Sequence, residues 1–312
     1  MEKLIIDTDP GVDDAQAILM AAAHPNATIA AILAVGGNVG LEHTLRNALT
    51  LVEVVEQDIP VYAGCSKPLV IFQEDAADVH GQDGLGDVGL VPQTRTAESE
   101  HAALALVRLA NESPGEYTLV AIGPLTNIAV ALTLDPTLPE KLKRFVVMGG
   151  AVTAHGNTSN VSAEFNIFYD PEAAHVVFEA WEAHGGLIEL VDWEATIRHG
   201  IPGDVIERWH ALDTPKSRFY QKLSAKTLEF IRNIMGRNMM FGADPLAMAV
   251  ALEPDIVTKA EVRHVSVELT GMYTRGQTTT DWNQRNGRTA NTNIILELDT
   301  DRFFALMEQG LK

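Results

Sequence analysis

Short, nearly uninterrupted apolar runs alternate along this chain with longer segments whose apolar residues recur every three or four positions. The runs at 4–7, 29–35, 60–63, 117–122, 145–148 and 187–191 predict strands covered on both faces, as in a parallel sheet. Between them, 14–23, 41–56, 99–110, 124–132 and 171–183 predict helices, and Asp135-Pro136 and Asp170-Pro171 mark helix or turn starts. Such alternation predicts an α/β fold: one domain over 1–312, with a mostly parallel doubly wound sheet, helices on both faces and an open Rossmann-like core. Two segments break the rhythm. Residues 73–95 are glycine-rich and too long for a simple connector, which reads as a functional loop or lid. Residues 214–240 are helical but interrupted at Gly236. Towards the end, 262–269 and 293–298 predict strands and 301–309 an amphipathic helix.

Composition narrows the partners. With 23 basic and 42 acidic residues among 312, the chain carries −19. Such a surface repels phosphate backbones and anionic lipid, so neither a nucleic acid nor a membrane is an expected partner. A lone Cys65 precludes an internal disulfide and suits a reducing compartment. No apolar run reaches the roughly 18 residues that span a bilayer, and the N-terminus lacks a signal pattern. A cytoplasmic protein is expected.

Candidate chemistry collects where strands end. Asp7, Asp9, Asp13 and Asp14 lie within eight residues, directly after the first apolar run. In α/β sheets ligands bind beyond the carboxyl ends of the strands. Acids that close repel one another unless a cation or a shared proton holds them, and converging carboxylates suit a hard, oxygen-loving ion such as Ca²⁺ or Mg²⁺. The bland reading of Asp13 and Asp14 is that they merely favour the start of the next helix. Gly36-Gly37-Asn38, Gly123-Pro124-Leu125-Thr126-Asn127, Met148-Gly149-Gly150, Glu164-Phe165-Asn166 and Gly242-Ala243-Asp244 sit at comparable positions. Each alone is compatible with ordinary turn chemistry; their shared placement on one side of a sheet is what points to a site.

These motifs carry a resemblance. Asp7-Thr8-Asp9-Pro10-Gly11-Val12-Asp13-Asp14-Ala15, Gly123-Pro124-Leu125-Thr126-Asn127-Ile128-Ala129, Met148-Gly149-Gly150, Glu164-Phe165-Asn166-Ile167 and Asp170-Pro171-Glu172-Ala173-Ala174 resemble, in order, those of the inosine-uridine-preferring nucleoside hydrolases. The resemblance implies hydrolysis of the N-glycosidic bond of a ribonucleoside with a bound Ca²⁺. It implies Asp9, Asp14, the Ile122 carbonyl and Asp244 as calcium ligands, and Asp13 as the general base on a calcium-bound water. Asn38, Asn157, Glu164, Asn166 and Met148 match positions around the ribose, Phe165 lies in the same motif, and His80 matches a lid histidine near the substrate. Asn160 competes with Asn157, because the stretch to Glu164 is one residue long. A homodimer or homotetramer is the implied assembly.

One position departs from the pattern. Many such enzymes carry a histidine that protonates the departing base immediately before the last calcium aspartate; here it is Ala243. Three readings follow: a substitute acid, His80 or Glu194; activation by stacking on Trp193, Trp282 or Phe165; or weak catalysis, binding alone, or an unusual N-riboside substrate. The loop 271–291, with Arg275, Asp281, Trp282, Arg285 and Arg288, reads as a solvated loop or as a substrate lid. A rival from another class makes Asp7-x-Asp9 the start of a Mg²⁺-dependent aspartyl phosphatase, with Asp7 essential.

Overall fold

Strand β1 (Glu2–Thr8) forms from the apolar run Leu4-Ile5-Ile6, all three fully buried. It lies inside an eight-stranded sheet, third from one edge, in the computed structural model, which describes residues 1–71 and 75–312. On one side of β1 lie β2 (Ala27–Ala34) and β3 (Val61–Ala63); on the other lie β4 (Tyr117–Ala121), β5 (Arg144–Met148) and β6 (Ile188–Val191). All pair in parallel, as the continuous apolar runs predict. Strand Thr292–Leu298 extends the sheet in parallel beside β6, and Val257–Arg263 closes that edge antiparallel. The chain winds outward from β1 through β3 and then returns to its opposite side at β4. This reversal opens a crevice at the carboxyl ends of β1 and β4, where an open α/β sheet binds its ligands.

Buried apolar residues divide into two clusters, one on each face of the sheet, the layered packing that a doubly wound sheet requires. Helix Val12–Ala23 packs against helices Ala243–Leu252 and Thr300–Gly310, which brings the two acidic turns at the starts of the first pair close together. Gly310 allows helix Thr300–Gly310 its close approach to helix Val12–Ala23, since a Cβ there would lie 2.9 Å from the Met20 nitrogen.

Several boundaries differ from expectation. The predicted strand 262–269 divides at His264, which is buried and bonded to Glu182 and Asn286. Val257–Arg263 stays in the main sheet, whereas Val265–Val267 pairs with Thr278–Thr280 in a separate ribbon. The helix expected from 99 begins at Ala102, where the His101 ring accepts the Ala103 N–H. Of the irregular segment 73–95, Gln73 and Glu74 lie outside the described residues. Its continuation forms one helical turn, Ala77–His80, followed by a loop organised by the Asp83 carboxylate, which accepts the N–H groups of Leu85, Asp87 and Gly89. Helix Pro215–Met235 ends at Gly236, whose φ of 61° is the left-handed cap that glycine adopts without strain. Among the described residues no helix is long and apolar enough to cross a membrane.

Candidate active site

The turn after β1 builds the centre of the site. Asp14, in the first turn of helix Val12–Ala23, accepts the Gly11 N–H at 2.8 Å, and the Thr8 hydroxyl donates to its other oxygen. Its side chain therefore points back over the end of β1 towards Asp9. Asn38, after β2, donates its backbone N–H to Asp9 Oδ2 at 2.6 Å and its side-chain amide to Asp14 Oδ2 at 3.2 Å. Asp244 joins them from the start of helix Ala243–Leu252. Ligand oxygens of Asp13, Asp14 and Asp244 all lie within 4.8 Å of one another.

Burial makes this cluster costly as it stands. Asp9 and Asp14 are wholly buried and Asp244 nearly so. Burial, followed by the charges of neighbouring aspartates, holds the Asp9 and Asp244 carboxyls well above the usual carboxylate range. The same burial raises Asp13 and Asp14 to about 6. Asp9 Oδ1 has no hydrogen-bond partner at all. An orphaned buried oxygen among like charges is the signature of a place built for a cation. The donors are all oxygens, as a hard divalent ion requires, and the glycines around them are tight. A Cβ at Gly123 would lie 2.6 Å from Asp9 Oδ1, and one at Gly37 2.1 Å from Asp9 Oδ2. The residues present fit a bound divalent cation. Gly123→Ala is accordingly expected to weaken divalent-cation binding at least tenfold while the protein still folds. Titration calorimetry checks this, and unchanged affinity would contradict it.

Above the cluster a cavity of about 270 Å³ opens. Asp13, Asn38, His80, Ile122, Met148, Asn157, Glu164, Phe165, Asn166 and Asp244 all line it. Asp9 and Asp14 lie beneath its floor. Asp13 is the most exposed of the four acids, its side chain being 18% exposed. Glu164 caps helix Phe165–Tyr169, accepting the N–H groups of Gly150, Asn166 and Ile167, and burial raises its carboxyl to about 7. The Asn166 amide donates to the Ile122 and Met148 carbonyls, tying the ends of β4 and β5 together. Asn157 accepts the Phe165 N–H at the cavity wall, whereas Asn160 is consumed by its own loop and by the Arg275 carbonyl. His80 accepts the Val12 N–H on Nδ1 at 3.1 Å, and burial lowers its ring to about 4.

Other expectations are overturned. Glu194 does not line the cavity; its carboxylate accepts the N–H groups of Thr153 and His155 and the Thr153 hydroxyl. Trp282 packs on the opposite apolar cluster, away from the cavity. The loop 271–291 is bound to helix Pro171–His184 through Arg275–Glu172 and Arg288–Glu179 pairs, so it is no substrate lid. Asp7 is fully buried below the floor and accepts the Asn127 amide, out of reach of a substrate, which removes the phosphatase reading.

The remaining wall was not singled out from sequence. Val12, Ala76 and Val79 join Thr227, Phe230 and Ile231 of helix Pro215–Met235 and Met240 and Phe241 beyond it. Trp193, foreseen as a stacking residue, packs on Phe241 with ring centres 5.4 Å apart. An apolar stripe on an amphipathic helix looks the same whether it faces a core or a ligand. Nothing in the spacing of Phe230 and Ile231 distinguishes the two.

The sequence profile described as inosine-uridine preferring nucleoside hydrolase matches residues 4–305. The pyrimidine-specific ribonucleoside hydrolase RihB of Escherichia coli K12 is 36% identical over 310 residues, covering 99% of this chain and 97% of that protein. An inosine-guanosine nucleoside hydrolase superposes with a TM-score of 0.93 at 34% identity, covering 100% and 99% of the two chains. A purine-preferring ribonucleoside hydrolase from Gardnerella vaginalis gives 0.90 at 29%, covering 99% and 98%. With the strand-end aspartates, the switch-point crevice and the full-length match in agreement, the chain belongs to the inosine-uridine preferring nucleoside hydrolases and is an N-ribosyl hydrolase.

Proposed function

We propose that the chain hydrolyses ribonucleosides to ribose and free base, using Asp13 as general base beside a Ca²⁺ held by Asp9, Asp14, Asp244 and the Ile122 carbonyl. The observation that carries this reading is the division of labour among the acids: Asp9, Asp14 and Asp244 are buried, with an orphaned oxygen on Asp9, and Asp13 is the most exposed of the four and lines the cavity. Bound there, the cation supplies positive charge that orients oxygen ligands and lowers the pKa of water. Asp13 takes a proton from the attacking water, and the Asp244 and Ala243 N–H groups at the start of helix Ala243–Leu252 hold its carboxylate in place. As the glycosidic bond breaks, positive charge develops on the ribose. Asn38, Asn157, Glu164 and Asn166 offer amide and carboxylate groups to the sugar hydroxyls, with the Met148 sulfur among them. The base lies against Phe165 and the wall of Trp193, Phe230 and Phe241. Assembly as a homodimer or homotetramer is part of the same reading and rests on the resemblance.

Sugar recognition of this kind has a measurable consequence. A 2′-deoxyriboside leaves buried polar groups without partners, a loss that discriminates far more strongly than a missing apolar contact. Uridine is therefore expected to exceed 2′-deoxyuridine in kcat/KM by at least 10²-fold, measured by release of free sugar. Comparable values for the pair would contradict this account of the site.

A further inference from the structure

The cavity is chemically lopsided. Among the described residues, every acid that lines it, Asp13, Glu164 and Asp244, belongs to the strand-end floor or the sugar wall, and no Lys or Arg lines it. The opposite wall consists of Trp193, Phe230, Ile231, Met240, Phe241 and Ala243, which form part of one apolar cluster. Two polar groups border that wall. The Thr227 hydroxyl donates to the Val79 carbonyl at 3.1 Å, so its proton is committed. His80 has its Nδ1 lone pair committed to the Val12 N–H, which fixes the ring as the neutral Nε2–H tautomer. A neutral imidazole donates a hydrogen bond but is a very weak acid. Among the described residues, the end of the cavity that would hold the base therefore contains no group able to hand a proton to a departing nitrogen.

We infer that this cavity is matched to ribosides whose base is a cationic aromatic ring, an N-ribosyl pyridinium, in preference to neutral nucleosides. This rests on the ribohydrolase reading above and names its substrate class. When the bond between C1′ and a pyridinium nitrogen breaks, the bonding pair returns to the ring and the base departs neutral, needing no proton. Water adds its oxygen to C1′ and gives its proton to Asp13, which passes it to solvent. With a neutral nucleoside the same cleavage leaves an anionic base that must be protonated. The surroundings favour the cation as well. Trp193, Phe165, Phe230 and Phe241 line the cavity, and aromatic rings attract a positive charge. With one divalent ion bound and all four aspartates ionised, the site would keep two negative charges near the base.

The test compares nicotinamide riboside with uridine and inosine on the calcium-loaded enzyme, following free ribose. The expected result is a kcat/KM at least 10²-fold higher for nicotinamide riboside, the span that a missing general acid typically costs a neutral substrate. Ala243→His, which adds a proton donor at the apolar wall, should raise the ratio of uridine to nicotinamide riboside kcat/KM by tenfold or more. Uridine or inosine within tenfold of nicotinamide riboside would overturn the inference while leaving the ribohydrolase reading intact. Release of ribose from none of the three would overturn that reading, and the inference with it.

Discussion

Asp13→Asn is expected to lower kcat on any hydrolysed riboside by about 10³-fold, within the range that a general base contributes, while the protein keeps its divalent cation. Asparagine preserves the shape of the side chain and its bonds to the cavity floor but cannot take a proton. Asp9, Asp14, Asp244 and the Ile122 carbonyl remain to hold the ion. Steady-state kinetics combined with metal analysis of the purified variant check both halves. Loss of the metal together with activity would make Asp13 a ligand instead, a role that its place in the three-carboxylate cluster also allows chemically. Retained activity would remove it from the reaction altogether.

The second large effect is thermodynamic. Stripped of its cation, the protein is expected to lose stability as pH rises from about 4 to about 8. The buried acids set the sign. Asp13 and Asp14 are raised from 3.8 to about 6, Glu164 from 4.5 to about 7 and Asp7 from 3.8 to about 8, all chiefly by burial. A group with a raised folded pKa contributes stability fully present below its unfolded pKa and lost as pH climbs through its folded one. For Asp14 alone the shift corresponds to about 3 kcal/mol. His80, lowered by burial from 6.5 to about 4, has the opposite sign but is a single group. A bound cation compensates the charged forms, so added Ca²⁺ should raise the melting temperature far more at pH 8 than at pH 5. Asp244→Asn should make the metal-free protein more stable at pH 8 and abolish the response to Ca²⁺. Thermal melts of both proteins with and without Ca²⁺ measure this. A metal-free stability that rises across the same window would show that these acids are not held against their charge.

Much of this architecture was legible because it is written in local patterns. A fully buried parallel strand needs an unbroken apolar run, so Leu4-Ile5-Ile6 announces β1, and acids placed directly after it fall at the sheet's ligand-binding edge. Asn38, Ile122, Met148 and Glu164 follow from the same logic, each lying at or just past a strand end or a tight turn. What escaped notice depends on packing between distant segments. Whether Phe230 faces a cavity or a core depends on where helix Pro215–Met235 settles, and its periodicity is the same in either case. His264 interrupts a run that otherwise reads as one strand, because Glu182, 82 residues away, accepts its ring. Glu194 resembled a free strand-end acid, yet it serves the loop at Thr153 and His155. Between Asn157 and Glu164 the chain makes a turn in which Val161 adopts a φ of 63°, which only the fold reveals.

The central claim, a cation-dependent ribohydrolase working from the turn after β1, is tested most directly by ribose release. The purified protein is incubated with inosine, uridine, cytidine, adenosine and nicotinamide riboside before chelation, after prolonged chelation, and after Ca²⁺ is restored. The account predicts release from at least one riboside, lost on chelation and recovered with Ca²⁺. Release that persists undiminished in protein shown to be free of metal would contradict it.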